Sequence, residues 1–569
     1  MITDAGEHPH YREAVRRRPA LVLLPLAILF LATGLIEAWR DSPTVDETVD
    51  IAAGVTGLVR HDLRLTPEHG VLTRVLPALP ALFAQPIVPD GPGYQSGDWF
   101  DHTDEFVRTN ETAGRLHRVV FLSRLVPLLE GLAVAGLLYV LGARLFGAWS
   151  GVLSGALWLT TPVFVGFGHI ASVDVAFTLA TLAVSLALLR FLEAPSDRRA
   201  LVVGLTVGAA LLTRHLGLVL LAVAAGVISF SGWKAARSLA LRRAAVVALV
   251  SWASVWIVVR VLAFSSPGEP SGARLDSLIA AGRGDSFLTR LVLAVPWPKE
   301  WAAGFAYLVL TSAAKPAYLF GQAWDGGRWW YFLGAVLVKV PLIAVIALVV
   351  GPFGWRRVPR REARNAFAVV VVPAIALLVA IGAQPLNLGL RYAFPSLALW
   401  FVAAGPVVLL GRPALRRVGA TVLAVTQVMA FGVAYPNSIA WTPPPFQPAY
   451  RWATDSNVDY GQDNGRVNDW AVGRAPLVDL LLPRGFDPPA GSRSLLEVSP
   501  ADVRGWVAVS ATRLTALDRD ALSWLRAYCP TGTLGGSVLI YRFDSPVDPR
   551  PGPTMPVAMC PEEESTRTG

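Results

Sequence analysis

The chain has few cysteines and few charged residues for its length. Two cysteines among 569 residues are too few for a disulfide-stabilised scaffold. Charged side chains make up 16% of the residues, whereas soluble globular proteins contain about 25%. Intrinsic disorder is excluded as well, because 53% of the side chains are hydrophobic. The composition therefore indicates a polytopic membrane protein that carries some soluble mass.

Lysine is also scarce, since only four of the 50 basic residues are lysines, although the net charge is +9. The arginines fall mainly in short clusters between apolar runs. This distribution is typical of the cytoplasmic loops of membrane proteins and argues against nucleic-acid binding.

Eleven apolar stretches are candidate membrane spans, for which roughly twenty residues are needed. They are 20–38, 119–142, 149–167, 170–191, 200–213, 216–231, 244–264, 329–351, 365–383, 392–410 and 418–435. The fifth and sixth stretches are short and meet at Arg214-His215. Eleven spans would place the two termini on opposite sides of the membrane.

The arginine clusters predict which side is which. When eleven spans are threaded, the clusters at 16–18, 198–199, 234–243, 356–364 and 412–417 all fall on one side. The positive-inside rule makes that side cytoplasmic, so we expect a cytoplasmic N-terminus and an extracytoplasmic C-terminus. The first span is not followed by a small-residue cleavage site before Asp41, which argues against a cleaved signal peptide.

Two domains are expected, a transmembrane domain over 1–435 and an extracytoplasmic α/β domain over 436–569. The first outer loop, 39–118, carries apolar residues at helical spacing near Ile51 and Val71, which predicts amphipathic helices at the membrane surface. A second outer segment covers 265–328.

The tail changes composition at Pro443-Pro444-Pro445. After it, helix-like stretches at 461–472 and 518–528 alternate with strand-like stretches at Val507–Ser510 and Val538–Phe543. Both cysteines, Cys529 and Cys560, lie in this tail. An oxidising compartment permits a disulfide between them, but their spacing does not show that they meet.

An acidic pair, Asp46-Glu47, directly follows the first span. Two carboxylates there can be solvated polarity or a helix N-cap. The same face, however, also carries the ionisable residues His69, Arg74, His169, Asp174 and Arg391. Ionisable groups this close to the hydrocarbon are costly and are functional candidates.

Asp174 has two possible roles from the sequence alone. It lies about one turn inside an otherwise apolar span. It is either a buried acid satisfied by a neighbouring arginine such as Arg124, or part of a cavity that opens outward. Arg124 and Glu130 in the second span pose the same question.

Short motifs along nearly the whole chain, from about residue 20 to about 545, resemble one enzyme family. They are Asp46-Glu47, Pro67-Glu68-His69, His169-x-x-x-x-Asp174, Tyr318-Leu-Phe-Gly321 ahead of Trp329-Trp330-Tyr331, Lys339-Val-Pro341, Arg391-Tyr392-x-x-Pro395 and Asp455-Ser-Asn-Val-Asp-Tyr-Gly-Gln-Asp463. Their order and membrane placement are similar to those of the GT-C superfamily of polyprenyl-phosphate-dependent glycosyltransferases. The family 39-like group, which includes protein O-mannosyltransferases and lipid A aminoarabinose transferases, is the most similar.

The resemblance implies a fold, a reaction and a location. The fold would be an α-helical polytopic membrane protein with a small extracytoplasmic α/β domain. The enzyme would move a sugar from a polyprenyl-phosphate donor to a hydroxyl of a protein, lipid or glycan at the outer face of a bacterial-type plasma membrane. Direct attack by the acceptor would invert the anomeric centre. The chemistry would need no metal, because the leaving group is already a stable phosphate.

The resemblance also implies roles for individual residues. Asp46 would be the general base, and Glu47 would orient the acceptor or the base. Arg391 and Arg74 would bind the donor phosphate, with Lys339 as a deeper third cation. The remaining members of the expected site are Asp174, His69, His169 and Tyr392.

Two features depart from the pattern or suggest another site. The usual His-Pro-Pro is His69-Gly70-Val71 here, and the usual lysine is Arg74. The spacing of Asp455, Asn457, Asp459 and Asp463 is that of the start of a calcium loop. Tyr460 and Arg466, however, replace the glycine and the glutamate that such a loop needs, so we assign no metal to it.

Two other functions compete with the glycosyltransferase. A sugar or lipid transporter, or a flippase, would explain many spans with buried charges but predicts inverted repeats, and the early half shows no likeness to the late half. A catalytically silent assembly subunit is the third reading, against which the intact Asp46 and Arg391 argue.

Overall fold

The computed structural model describes residues 17–233, 236–264 and 287–559, and these are mainly helical. The α-helices are α1 (Arg17–Ala20), α2 (Leu23–Arg40), α3 (Glu47–Arg60), α4 (Val71–Ala81), α5 (Pro92–Ser96), α6 (Trp99–Thr112), α7 (Leu116–Phe146), α8 (Ala148–Thr160), α9 (Pro162–Gly168), α10 (Val173–Glu193), α11 (Asp197–Thr213), α12 (Gly217–Gly232), α13 (Arg237–Leu262), α14 (Phe287–Leu293), α15 (Lys299–Thr311), α16 (Tyr331–Lys339), α17 (Leu342–Val350), α18 (Arg360–Ala366), α19 (Val372–Gly382), α20 (Phe394–Ala404), α21 (Pro413–Ala434) and α22 (Asn464–Ala471).

Seven helices within the described ranges are long and apolar enough to cross a membrane, or eight if one bent pair counts as a span. They are Leu23–Arg40, Leu116–Phe146, Val173–Glu193, Arg237–Leu262, Arg360–Gly382, Leu390–Leu409 and Pro413–Ala434, with the pair Ala148–Thr160 and Pro162–Gly168 bent by 65°. The expected multi-pass architecture is therefore confirmed.

The other expected spans are helical but short or interrupted. The stretches at 200–213 and 216–231 are the 17-residue α11 and the 16-residue α12. The stretch at 329–351 is divided into α16 and α17 because Pro341 has no N–H to continue the first helix. The number of spans counted by length is therefore smaller than eleven, although every predicted stretch forms helix.

The segment between α2 and α7, within 39–118, folds into short helices that pack on one another. Ile51 and Val55 of α3 are buried against Ala78 of α4. The two helices approach closely at Gly54, where a Cβ would overlap the Arg74 carbonyl oxygen. This packing sets the distance between the acidic residues that precede α3 and the His69 loop that precedes α4.

Two sheets are present in the described part of the chain. The strands are β1 (Pro316–Leu319), β2 (Gln322–Asp325), β3 (Leu477–Asp479), β4 (Arg493–Ser494), β5 (Gly505–Ser510), β6 (Gly532–Leu534) and β7 (Val538–Phe543). Strands β1 and β2 form an antiparallel hairpin. The tail strands form a five-stranded sheet in the order β4-β3-β5-β7-β6, in which β3 is parallel to β4 and β5 and the other pairs are antiparallel.

The tail is therefore the small sheet domain that the sequence predicts. The expected strands at 507–510 and 538–543 lie in β5 and β7, and α22 forms inside the expected helix at 461–472. The expected helix at 518–528 is wrong, because that segment closes only a 3-10 turn at Ser523–Ala527 with hydrogen bonds to carbonyls three residues back. Cys560, the other cysteine of the permitted disulfide, lies outside the described residues.

Ion pairs dock the tail on the rest of the molecule. Arg466 contacts Asp41 at 2.9 Å, just beyond α2. Arg484 contacts Asp104 of α6, and Arg519 contacts Asp325 of the β1-β2 hairpin at 2.7 Å. The tail is thus fixed against the end of α2, against α6 and against the β1-β2 hairpin.

Candidate active site

An ion pair between the first outer loop and a late span is at the centre of the site. Asp46 is the residue before α3, and its Oδ2 accepts a hydrogen bond from Nη2 of Arg391 at 3.0 Å. Arg391 lies in the 3-10 turn Leu390–Ala393 that leads into α20. Gly389 starts this turn at φ 104°, and a Cβ there would overlap the hydroxyl of Ser456. The turn can therefore press against the tail only with glycine at this position.

The tail contributes a third member, Tyr460. Its hydroxyl donates to the same Oδ2 of Asp46 at 2.5 Å and accepts from Nη1 of Arg391 at 2.5 Å. Its ring also lies under the guanidinium, 4.5 Å from centroid to Cζ, and Ser456 accepts from Nε at 3.2 Å. Residues from three distant parts of the chain therefore hold one carboxylate and one guanidinium in place.

Asp174 faces this group from the first turn of α10. Its side chain is fully buried. Oδ1 lies 3.2 Å from Nη1 of Arg214, and Oδ2 lies 3.5 Å from Nη1 of Arg391. The Tyr392 ring lies next to both guanidinium groups, 4.5 Å from Cζ of Arg214 and 5.1 Å from Cζ of Arg391. The arginines that satisfy Asp174 are thus Arg214 and Arg391, and not Arg124.

The electrostatic surroundings keep Asp46 ionised. Burial by itself would raise the pKa of this carboxyl, but Arg391, His69 and the Tyr460 hydroxyl lower the pKa to about 2. The Asp46 side chain nevertheless keeps 33% of its surface exposed. Asp46 is therefore an accessible carboxylate at the edge of a buried charge cluster.

Glu47 is buried and does not face the Asp46–Arg391 pair. Arg124 donates to both of its oxygens, at 2.8 Å from Nε and 2.7 Å from Nη2. The backbone N–H groups of Thr44 and Ala171 donate to it as well, each at 3.1 Å. Burial opposes the charge of Glu47, yet Arg124 and these donors lower its pKa. Glu47 and Arg124 thus join the start of α3 to α7 and to the turn before α10.

His69 and Arg74 stand beside the cluster. His69 Nδ1 is 2.6 Å from Oδ1 of the buried Asp50, and 26% of the His69 side chain is exposed. Burial lowers the pKa of His69, but Asp50, Glu68 and Asp46 together raise it to about 9. Arg74 is buried and donates to the carbonyls of His69 and Leu65, so it braces the loop in which the usual prolines are missing.

His169 and Lys339 lie away from the cluster. The His169 ring is buried between Glu37 and Asp41, with nitrogen–oxygen distances of 3.5 Å and 3.3 Å. Lys339 is buried and donates to the carbonyls of Ile439, at 2.7 Å, and Trp441. His169 thus contacts the end of α2, whereas Lys339 contacts the segment that leads into the tail.

Side chains of the acidic run at 455–463 accept hydrogen bonds from backbone N–H groups beside the site and in the sheet domain. Asn457 accepts from the Leu390 N–H at 2.9 Å, and Asp459 accepts from the Thr512 N–H at 3.1 Å. No group of three or more His, Cys, Asp or Glu side chains in the described ranges could hold a metal ion. The run therefore connects the turn at Arg391 to the sheet domain.

Two residues of the cluster were missed at the level of sequence. Arg214 was noticed only as the boundary between two short apolar stretches. A basic residue between two short apolar helices was a signal that could have identified it. The run at 455–463 is similar to the signature Asp-Ser-Asn-Leu-Asp-Trp-Gly-Gln-Asp of the resembled family. Tyr460 stands in place of its tryptophan, and that exchange was the signal for its hydroxyl.

A comparison with family models gives a match over residues 117–258, to the family described as Dolichyl-phosphate-mannose-protein mannosyltransferase. The chain resembles the GT-C glycosyltransferases. The matched segment contains Asp174 and Arg214 and ends before Arg391. No curated protein sequence matches the chain.

Solved GT-C structures give distant similarities. The ArnT structure from Cupriavidus metallidurans bound to undecaprenyl phosphate has 14% identity and a TM-score of 0.46, covering 91% of this chain and 97% of that one. The oligosaccharyltransferase of Archaeoglobus fulgidus tethered to an acceptor peptide has 12% identity and a TM-score of 0.47, covering 91% of this chain and 72% of that one. Similarities this distant do not transfer a substrate or a residue role.

Proposed function

We propose that the protein is a membrane glycosyltransferase that moves a sugar from a polyprenyl-phosphate donor to an acceptor hydroxyl on the extracytoplasmic face. The observation that carries the proposal is the Asp46–Arg391 pair. A partly exposed carboxylate lies 3.0 Å from a guanidinium at the N-terminal end of an apolar helix that is long enough to span a membrane. The end of a membrane-spanning helix lies at the membrane–water interface, where a lipid phosphate and a hydroxyl from the aqueous side would meet.

The reaction balances without a further reactant. The acceptor oxygen forms a bond to the anomeric carbon while the bond from that carbon to the phosphate oxygen breaks. The electron pair of the broken bond stays on the phosphate, which gains one negative charge. The acceptor proton passes to a carboxylate. Displacement from the face opposite the phosphate inverts the anomeric centre.

Asp46 is the better placed of the two carboxylates to accept that proton. Asp174 is fully buried, whereas a third of the Asp46 side chain is exposed. A carboxylate with a pKa of about 2 is a weak base, but Arg391 is one cause of that low value. When Arg391 turns its charge toward a donor phosphate, the pKa of Asp46 rises and proton transfer becomes more favourable.

Arg391 would bind the donor phosphate, because a guanidinium presents paired N–H groups to phosphate oxygens. Tyr392 lies beside it, and protonated His69 would add positive charge on the water side. Glu47, Arg74, His169 and Lys339 would act at a distance, since each holds backbone or buried partners around the cluster.

A transfer assay tests this function. The purified full-length protein in lipid nanodiscs is incubated with a panel of polyprenyl-phosphate sugars, with membrane extract as the source of acceptor. We expect release of polyprenyl phosphate that depends on the sugar and the extract and is lost in Asp46→Asn. Release equal to that of Asp46→Asn for every donor in the panel would contradict the proposal.

A further inference from the structure

Arg214 occupies a fixed position between two short helices. It follows the end of α11, and its backbone N–H donates to Ala210 at 2.9 Å while its carbonyl accepts from Gly217 at 2.8 Å. The next residue, His215, is buried, and its Nε2 is 3.0 Å from the Trp301 carbonyl oxygen. The backbone of the turn that carries Arg214 is thus held from both sides, so a ligand would have to order only the side chain.

The contacts of Arg214 leave most of its donors open. Among the residues that the structure describes, its guanidinium makes one side-chain hydrogen bond, from Nη1 to Asp174 at 3.2 Å. Hydrogen bonds between charged groups of this kind are usually 2.7–2.9 Å long. The side chain is 16% exposed, in contrast to 6% for Arg391. The Arg214 guanidinium is therefore held only weakly by Asp174, and its exposed part is accessible to a ligand.

Asp174 sits between the two arginines as a phosphate group would. One of its oxygens faces Arg214 and the other faces Arg391. Carboxylate and phosphate offer oxygens to a guanidinium in the same planar, paired manner. Two guanidinium groups that share one carboxylate are thus already spaced to share one phosphate.

The charge that develops in the proposed reaction also requires a second cation. A polyprenyl-phosphate sugar carries one negative charge, and its leaving phosphate gains another. Arg391 is already engaged with Asp46 and Tyr460 and lies next to Asp174. Without a second cation, its guanidinium would face both carboxylates and the growing charge of the phosphate. A second fixed cation stabilises that charge where it develops.

We propose that Arg214 is a second phosphate-binding residue, which exchanges its contact with Asp174 for the phosphate of the lipid-linked donor. This inference rests on the proposed function. It makes the Asp174 carboxylate the group that keeps Arg214 and Arg391 in position while the site is empty.

Binding of undecaprenyl phosphate and of uncharged undecaprenol to the full-length protein in phosphatidylcholine nanodiscs tests the phosphate contact. Subtracting the binding free energy of undecaprenol from that of undecaprenyl phosphate removes the contribution of the polyprenyl chain and leaves that of the phosphate. We expect Arg214→Gln to weaken undecaprenyl phosphate binding by about tenfold or more, as for the loss of a charged hydrogen bond, and Arg214→Lys to be intermediate. Undecaprenol binding should not change. The matched control is Arg260→Gln, since Arg260 also stacks on an aromatic ring, Trp256, but outside the site.

A double variant separates phosphate binding from simple neutralisation of Asp174. If Arg214 only balances that buried carboxylate, Arg214→Gln combined with Asp174→Asn should restore wild-type affinity. Our proposal expects the double variant to stay weak. Restored affinity, or an Arg214→Gln variant that binds like Arg260→Gln, overturns the assignment of Arg214.

Two further measurements show whether the phosphate belongs to the lipid donor or to bulk headgroups, and separate failure of the Arg214 role from failure of the proposed function. Adding phosphatidylglycerol to the nanodiscs should leave the Arg214→Gln defect in place; loss of the defect would mean that Arg214 binds bulk anionic headgroups. A wild-type protein that binds undecaprenyl phosphate no more tightly than undecaprenol contradicts the proposed function itself. Wild-type preference for the phosphate with an unaffected Arg214→Gln contradicts only the role of Arg214.

Discussion

The hydroxyl of Tyr460 lies 2.5 Å from Oδ2 of Asp46, although 414 positions separate the two residues in the chain. One belongs to the first outer loop and the other to the segment that opens the sheet domain. The same hydroxyl accepts from Arg391. The tail is thus part of the candidate site and not a separate module beside it.

Asp46→Asn should lower sugar transfer by at least about a hundredfold, the usual contribution of a positioned general base. Asparagine is similar in size and still accepts a hydrogen bond, so folding and donor binding should persist. Initial rates with one polyprenyl-phosphate sugar measure the effect. Asp101→Asn, at an exposed position in α6, is the matched control. Near-normal transfer in Asp46→Asn together with an inactive Asp174→Asn would identify Asp174 as the base.

Tyr460→Phe should reduce transfer by roughly tenfold while donor affinity changes little. The variant removes the hydrogen bond to Asp46 and keeps the ring under Arg391, and a hydrogen bond to a charged group contributes about 1.5–3 kcal/mol. The measurement is the rate at saturating donor against the donor Kd. Tyr435→Phe, at a half-exposed position after α21, is the control. A variant whose rate equals the wild-type rate would leave the ring as the only contribution of Tyr460.

Arg391→Ala should weaken binding of a polyprenyl-phosphate sugar, and Arg391→Lys should be intermediate because it keeps the charge but loses the paired N–H groups. Equilibrium binding to purified protein measures both. Arg328→Lys is the comparison, since Arg328 stacks on Trp324 away from the cluster. Unchanged donor affinity in Arg391→Ala would remove Arg391 from the phosphate site.

Glu47→Gln should act on stability more than on chemistry. The substitution removes the carboxylate that pairs with the buried Arg124, and breaking a buried ion pair in this way costs about 3–5 kcal/mol. We expect a lower melting temperature, and we expect the protein that remains folded to bind the donor. Glu193→Gln, in a half-exposed pair with Arg144 at 2.9 Å, should cost much less. Equal melting temperatures of the two variants would contradict the structural role of Glu47.

Alkaline pH should destabilise the first outer loop through His69. The pKa of His69 is held at about 9, above its ordinary value of 6.5. A raised pKa means that the folded state binds the proton more tightly, so this contribution is complete below about pH 6.5 and is lost as the pH rises through about 9. The melting temperature should fall over that window, and His69→Gln should flatten the fall. His117→Gln, at an exposed position in α7, should retain the wild-type slope.

The sequence predicted the membrane helices and the sheet domain because their signals are local. Apolar runs define the spans, and alternation defines β5 and β7. The break at Pro341 and the short α11 and α12 follow from local features as well. The 3-10 turn at Ser523–Ala527 was not foreseen, because Arg526 there donates to the carbonyls of Leu514 and Arg519, and such tertiary contacts have no periodic signature.

The candidate site was only partly accessible from the sequence. Asp46, Asp174, Arg391 and Tyr392 are brought together by the structure, whereas Glu47, Arg74, His169 and Lys339 face other partners. Charge near the membrane marks a residue as unusual but does not say whether its partner is a substrate or another buried group. Pairings such as Glu47 with Arg124 depend on helices that meet only in three dimensions.

The order in which a ribosome makes this chain gives the Asp46–Tyr460 contact a further consequence. Asp46 emerges early and reaches the membrane surface long before residue 460 is synthesised. Until residue 460 has been made and the tail has docked, Asp46 lacks the hydroxyl that holds it and Arg391 lacks one of its acceptors. A nascent or truncated chain that ends before Tyr460 therefore has an incomplete site. The site is assembled only when synthesis of the protein is nearly complete.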